Sequence, residues 1–201
     1  MGQYYVTAVK TDDGKTTIYN RYLLENGKKQ YTMAKLMEHS WVGNHYMESI
    51  CALFNKHKKL RIAWVGDYSI DLMDADWNNE ELPLEEASAL YDLCWRTEGY
   101  PIEYAPCELT GKYFVNHTKK QYFSFDNYYK KSVMFLWDEY WCIHPLSLLT
   151  CIGNRLGGGD YLQPTEDSTY DLVGSWAWDE LSIVETIPKE YEEISPIFKE
   201  K

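Results

Sequence analysis

Long apolar runs are missing from this sequence: none approaches the roughly 18 residues that a membrane-spanning helix needs, so no transmembrane segment is expected. The opening Met1–Thr7 has no basic stretch followed by an apolar one, which argues against a secretory signal, and Val6 stands where a myristoylation pattern needs a hydroxyl. Paired cysteine spacing is also missing. Cys51, Cys94, Cys107, Cys142 and Cys151 are odd in number, never spaced C-x-x-C and mostly set in apolar runs, so they read as reduced core thiols of a cytoplasmic protein. The five histidines form no H-x-x-x-H or H-E-x-x-H pair, and no Walker or G-x-G-x-x-G spacing occurs. No metal and no cofactor are therefore expected. Ser175 lacks the second glycine of a nucleophile elbow, and Cys142 and His144, two apart on one strand, are read as core residues.

What is present is a globular composition, 45% hydrophobic and 25% charged over 201 residues, with an unusual 18 Tyr and 8 Trp. The net charge of −11 is divided into blocks. Residues 1–66 carry ten Lys or Arg against five Asp or Glu, 67–110 one against twelve, 111–137 five against one, and 138–201 four against thirteen. Such a balance repels phosphate backbones, so direct DNA binding is not expected unless the basic blocks, for instance Lys56, Lys58, Lys59 and Arg61, make a face of their own. The acidic blocks suit a protein partner with a basic surface.

Periodicity predicts an α+β fold in one domain over 1–201, a mainly antiparallel sheet with hairpins and two to three helices packed against it. A hairpin joins 3–9 to 16–22 through Asp12-Asp13-Gly14-Lys15. A helix is predicted at about 42–56 with Ser40 as its cap, a strand at 60–65 stopping at Gly66, and a second helix whose first turn holds Pro83. Residues 112–116 and 121–125 form a further hairpin, 140–144 a strand, a short helix follows Pro145, and 172–176 with 181–184 closes the fold as a last hairpin.

The recurring tripeptides Gly66-Asp67-Tyr68 and Gly159-Asp160-Tyr161 are the most suggestive local feature. In each, a glycine lets the chain turn sharply and exposes a carboxylate beside an aromatic ring. If the loops converge, with Trp41 and Asn44 beside them, Asp67, Tyr68, Asp160 and Tyr161 would orient a small polar ligand. Asp74, Asp76, Asn78 and Glu85 carry an EF-hand-like spacing, but Asn79 replaces the required glycine, and the stretch reads as an acidic loop entering a helix. Gly157-Gly158-Gly159 follows a helix and not a strand, so it reads as a helix exit.

The opening Met1-Gly2-Gln3-Tyr4-Tyr5, the segment Lys35–Asn44, Trp64–Tyr68 and Gly157–Tyr161 together resemble a family of bacterial and phage-borne proteins that begin in this way and have no established activity. The resemblance implies a prokaryotic or mobile-element origin and carries over no catalytic residue. The function expected is a non-enzymatic, acidic, aromatic-rich binding protein, in its specific form an inhibitor of a host defence factor. Two alternatives stand beside it: an enzyme acting through Asp67 and Asp160, and a structural module of a larger assembly.

Overall fold

The computed structural model describes residues 3–32, 35–69, 82–136, 138–153 and 164–199. The chain opens with β1 (Tyr5–Thr11), β2 (Thr16–Glu25) and β3 (Lys28–Tyr31), then a short α1 (Leu36–His39) and α2 (His45–Ala52), which runs into a 3₁₀ turn at Leu53–Asn55. Next come β4 (Leu60–Gly66), α3 (Leu84–Arg96) and β5 (Tyr100–Glu103), followed by β6 (Tyr113–Asn116), β7 (Gln121–Ser124) and α4 (Phe125–Ser132). A small hairpin, β8 (Met134–Leu136) and β9 (Glu139–Trp141), precedes α5 (Pro145–Leu149), β10 (Cys151–Ile152), β11 (Glu180–Val184) and β12 (Glu192–Glu193). The expected α+β class with a mainly antiparallel sheet is what forms. The main sheet runs β12-β7-β6-β11-β4-β1-β2-β3, with β10 beside β4 and β5 beside β2. Three of its pairings are parallel, β10·β4, β5·β2 and β12·β7. No helix among the described residues is long and apolar enough to cross a membrane.

The central strands are buried on both faces, which is why β1 and β4 read as nearly continuous apolar runs. Alternation sends Tyr5 and Val9 of β1, with Leu60, Ile62 and Trp64 of β4, into the larger core under α2 and α5. The intervening Val6, Ala8, Ala63 and Val65 face the other way and meet Leu90 and Cys94 on the inner stripe of α3. Many of the aromatics serve this interior: Trp64, Trp176, Tyr5, Tyr46 and Tyr128 are fully buried. Among these, Tyr46 donates to Thr7 Oγ1 at 3.1 Å and Tyr128 to the Ile143 carbonyl at 2.6 Å, whereas the Trp64 indole N–H has no hydrogen-bond partner among the described residues. Strand β3 is exposed along its length, and Lys28 and Lys29 guard that open edge against pairing with another chain.

Three local expectations change. Ser40 does not cap α2; it is buried and its hydroxyl meets Ser147, while Asn44 accepts from the Tyr46 and Met47 amides at 2.9 and 3.2 Å. Gly66 is the last residue of β4, paired with Tyr5, and does not make a sharp turn. A Cβ there would lie 2.5 Å from the end of the buried Gln3 side chain, which would have to move aside. Residues 172–176 are not a strand: a 3₁₀ turn at Tyr170–Leu172 leads into further turns, and β11 pairs instead with β6 and β4.

Candidate functional site

A pocket of about 480 Å³ opens between the start of α2, the 107–110 loop and α4, and it is lined by Val42, Gly43, Glu48, Cys107, Glu108, Leu109, Thr110, Phe125, Asp126, Tyr129, Lys130 and His144. Its size falls within the range of small-ligand sites. The buried lining is apolar or neutral, formed by Leu109, Phe125 and His144, and the more exposed lining carries Glu48, Glu108 and Asp126 against the single cation Lys130.

Local hydrogen bonds fix these walls. Ser124 caps α4 by accepting the Asn127 amide, which sets Asp126 in the first helical turn, where a carboxylate is favoured. From there the Asp126 carboxylate accepts the Gly111 amide at 3.1 and 3.2 Å and ties the loop to the helix. Glu108 accepts the Thr110 amide at 2.8 Å, and the Thr110 hydroxyl first and that amide second hold its carboxyl below the ordinary range and keep it charged at neutral pH. On the opposite wall Tyr104 donates to Glu48 at 3.3 Å and stacks its ring 4.4 Å from that of His45.

His144 closes the bottom of the site. It is 2% exposed and caps α5, accepting the Leu146 amide on Nδ1 at 3.2 Å. With that lone pair engaged, the ring proton sits on Nε2 and faces Cys51 Sγ at 3.4 Å. Burial pushes the imidazole down to about 3 and raises the Cys51 thiol well above its usual range. The pair therefore lacks both halves of a thiolate–imidazolium nucleophile: the base is held neutral with its free lone pair spent, and the thiol keeps its proton. Its work is to cap and to pack. Sequence spacing linked His144 to Cys142; the fold gives it Cys51 instead, 93 residues away.

The residues singled out in the sequence have definite places. Trp41 bridges to Ile143 and sets its indole 5.4 Å from that of Trp141. Asn44 is the α2 cap, so its side-chain oxygen is committed to the helix. Val42 and Gly43, between these two, line the pocket. Asp67 accepts the Tyr4 amide at 2.9 Å, donates its own amide to the Tyr4 carbonyl, and accepts the Tyr91 hydroxyl on its carbonyl at 3.2 Å, so it ties β1 and β4 to α3. Tyr68 follows in a turn and is half-buried. Neither Asp67 nor Tyr68 lines the pocket. Asp160, Tyr161, Asp74, Asp76 and Asn78 lie outside the described residues, as does the meeting of the two tripeptide loops. Among the described residues no three His, Cys, Asp or Glu side chains gather as a metal would need.

None of the five cysteines forms a disulfide, and Cys51, Cys94, Cys142 and Cys151 are buried while Cys107 reaches the pocket wall. In the native protein a thiol reagent should therefore modify Cys107 first, slowly because burial raises its thiol, and the other four only on unfolding. Counting modified thiols by mass spectrometry with and without denaturant checks this; modification of two or more at the native rate would mean the core opens. No protein-family model matches the chain, and no curated protein or solved structure matches it.

Proposed function

We propose that the protein is a binding protein whose pocket beside α4 receives a cation carried on an apolar body. The observation that carries this reading is the division of the lining: buried Leu109, Phe125 and His144 offer apolar surface and no free donor from the imidazole, while Glu48, Glu108 and Asp126 offset Lys130 nearer the solvent. An aromatic or aliphatic ammonium fits that division, with its body desolvated and its charge held among carboxylates. The acidic blocks along the chain favour a partner protein with a basic surface as the source of the group, and an inhibitor that covers such a surface on its target is the specific form of the proposal.

Titrating the protein with phenethylammonium, and separately with phenylacetate, while following backbone amides by NMR tests the reading. The cation should give saturable shifts at Gly43, Cys107, Leu109 and Thr110, weakened about threefold in Glu108→Gln because that carboxylate is exposed. Equal responses to cation and anion, or none at these amides, would rule the pocket out as a cation site.

A further inference from the structure

A second cleft lies where β1 ends and β4 begins, and its chemistry is opposite. It encloses about 220 Å³ between the β1–β2 turn, the start of β4 and the start of β11, and it is lined by Lys10, Thr11, Asp12, Gly14, Lys59, Leu60, Arg61 and Glu180. In the antiparallel β1·β4 ladder Lys10 stands directly opposite Arg61. Directly opposed residues project from the same face of a sheet, and like charges so placed repel. The acids nearby relieve this pair only in part: Glu180 stands opposite Arg61 in the β11·β4 ladder and acts on its guanidinium, but it is shared with a second cation. Asp12 is taken by the His57 ring at 3.1 Å and the Lys58 amide at 3.0 Å, and Glu180 by Lys59. Arg61 gives one of its donors to the Trp178 carbonyl, a neutral acceptor, at 2.9 Å. Lys10 has no hydrogen-bond or ionic partner among the described residues.

We infer that this cleft binds a small phosphoryl oxyanion between Lys10 and Arg61. An anion there converts a repulsive cross-strand pair into two charge-assisted contacts, and the guanidinium fork can present donors to two oxygens at once. The volume is small for a drug-sized ligand and suits a phosphate group with its waters. Gly14 keeps the mouth open, since nothing lies within 4 Å of where its side chain would begin. The source is limited by what surrounds the cleft. Asp12 and Glu180, both already bonded, line the cleft on a chain of net charge −11, so a long polyanion gathers repulsion along its whole length while a free phosphate or phosphomonoester meets only these two neutralised carboxylates. Of the basic residues that stood out in the sequence, Lys59 and Arg61 belong to the site; Lys56 and Lys58 are exposed and do not line the cleft.

The test uses the full chain and inorganic phosphate, titrated at constant ionic strength against chloride. Amides of Thr11–Lys15 and Lys59–Arg61 should shift saturably, and saturating phosphate should raise Tm by about 3 °C. Lys10→Gln carries the sharper signature. It removes the repulsion, so in chloride the variant should be at least as stable as the wild type, and its affinity for phosphate should fall about tenfold. Non-saturating shifts, an unchanged affinity in Lys10→Gln, or a variant less stable than wild type without phosphate would each overturn the proposal. Duplex DNA is the second arm. No binding is expected at micromolar concentration, and DNA binding that Lys10→Gln weakens would replace the small-anion reading with a nucleic-acid one.

Discussion

Lowering the pH from about 6.5 to about 4 should remove about 3 kcal/mol of stability through His144 alone. The sign follows from where the proton binds. In the unfolded chain the imidazole titrates near 6.5, whereas burial holds it at about 3 in the fold. The stabilisation is therefore complete above 6.5 and is lost as the pH falls toward 3, because only the unfolded state takes up the proton in that window. The structural reason is definite: Nδ1 accepts the Leu146 amide, Phe114 and Phe125 flank the ring, and no carboxylate among the described residues bonds to it. Protonation would break the α5 cap and place a charge in the core. His117, lowered by burial and by Lys59, acts in the same direction; Asp179, raised by burial, acts in the opposite one. The variant His144→Asn isolates the effect, since asparagine can still cap α5 but does not titrate. Urea midpoints measured across the range should find this variant less stable near pH 7, where it lacks the ring's contacts, and level with wild type near pH 4. Parallel pH profiles for the two proteins would mean that His144 is protonated in the fold.

The residues behind that prediction also mark where sequence reading stops. Local signals were legible. The β1–β2 hairpin follows from Asp12-Asp13-Gly14-Lys15, where Asp13 accepts the Lys15 amide within the turn, and β4 follows from its apolar run. The start of α2 was misplaced by taking Ser40 as its cap, since Asn44, an equally good cap residue, stands four residues on. The choice was made by a contact 107 residues distant, Ser40 with Ser147. Helix α4 was hidden more deeply. Phe125-Asp126-Asn127-Tyr128-Tyr129-Lys130-Lys131-Ser132 is polar in composition, and the sequence reading carried a strand through Phe125. The available signal was Ser124 as a cap, followed by Phe125, Tyr128 and Ser132 at helical spacing, and these are the residues that become buried. Without α4 the pocket could not be foreseen, since its walls come from three separate segments and its floor from His144. Trp41 and Asn44 flanked the right segment, with Val42 and Gly43 between them reaching the site. Asp67 was chosen for exposure after a glycine, and the strand pairing instead gives its carboxylate to the Tyr4 amide.

Replacing Gly174 with alanine should cost about 3 kcal/mol or more, far beyond what the same change costs at Gly14. Both glycines have left-handed backbones, with φ of 79° and 83° respectively, so both variants pay about 1–2 kcal/mol for placing a Cβ beside the following carbonyl. Gly14 faces open solvent and should pay little else. At Gly174 a Cβ would lie 2.8 Å from the Cys151 carbonyl oxygen, a backbone atom that cannot swing aside as a side chain would. Relief requires the 173–178 segment to lift away from α5 and β10. That segment is held by two short bonds, from the Gly174 amide to the Leu148 carbonyl and from the Trp176 amide to the Leu149 carbonyl, both 2.7 Å. Lifting it would also withdraw Trp176, whose fully buried indole packs 5.5 Å from Phe123 and donates to Gln121 at 3.1 Å. Loss of such a side chain from a core is itself worth about 3–5 kcal/mol, so even partial withdrawal adds to the strain. Chemical denaturation of the two variants beside wild type measures the difference, and tryptophan fluorescence reports whether Trp176 has moved. Equal destabilisation at the two positions would mean that the segment after the 3₁₀ turn at Tyr170–Leu172 yields freely, and that the close approach to Cys151 does not hold Trp176 in place.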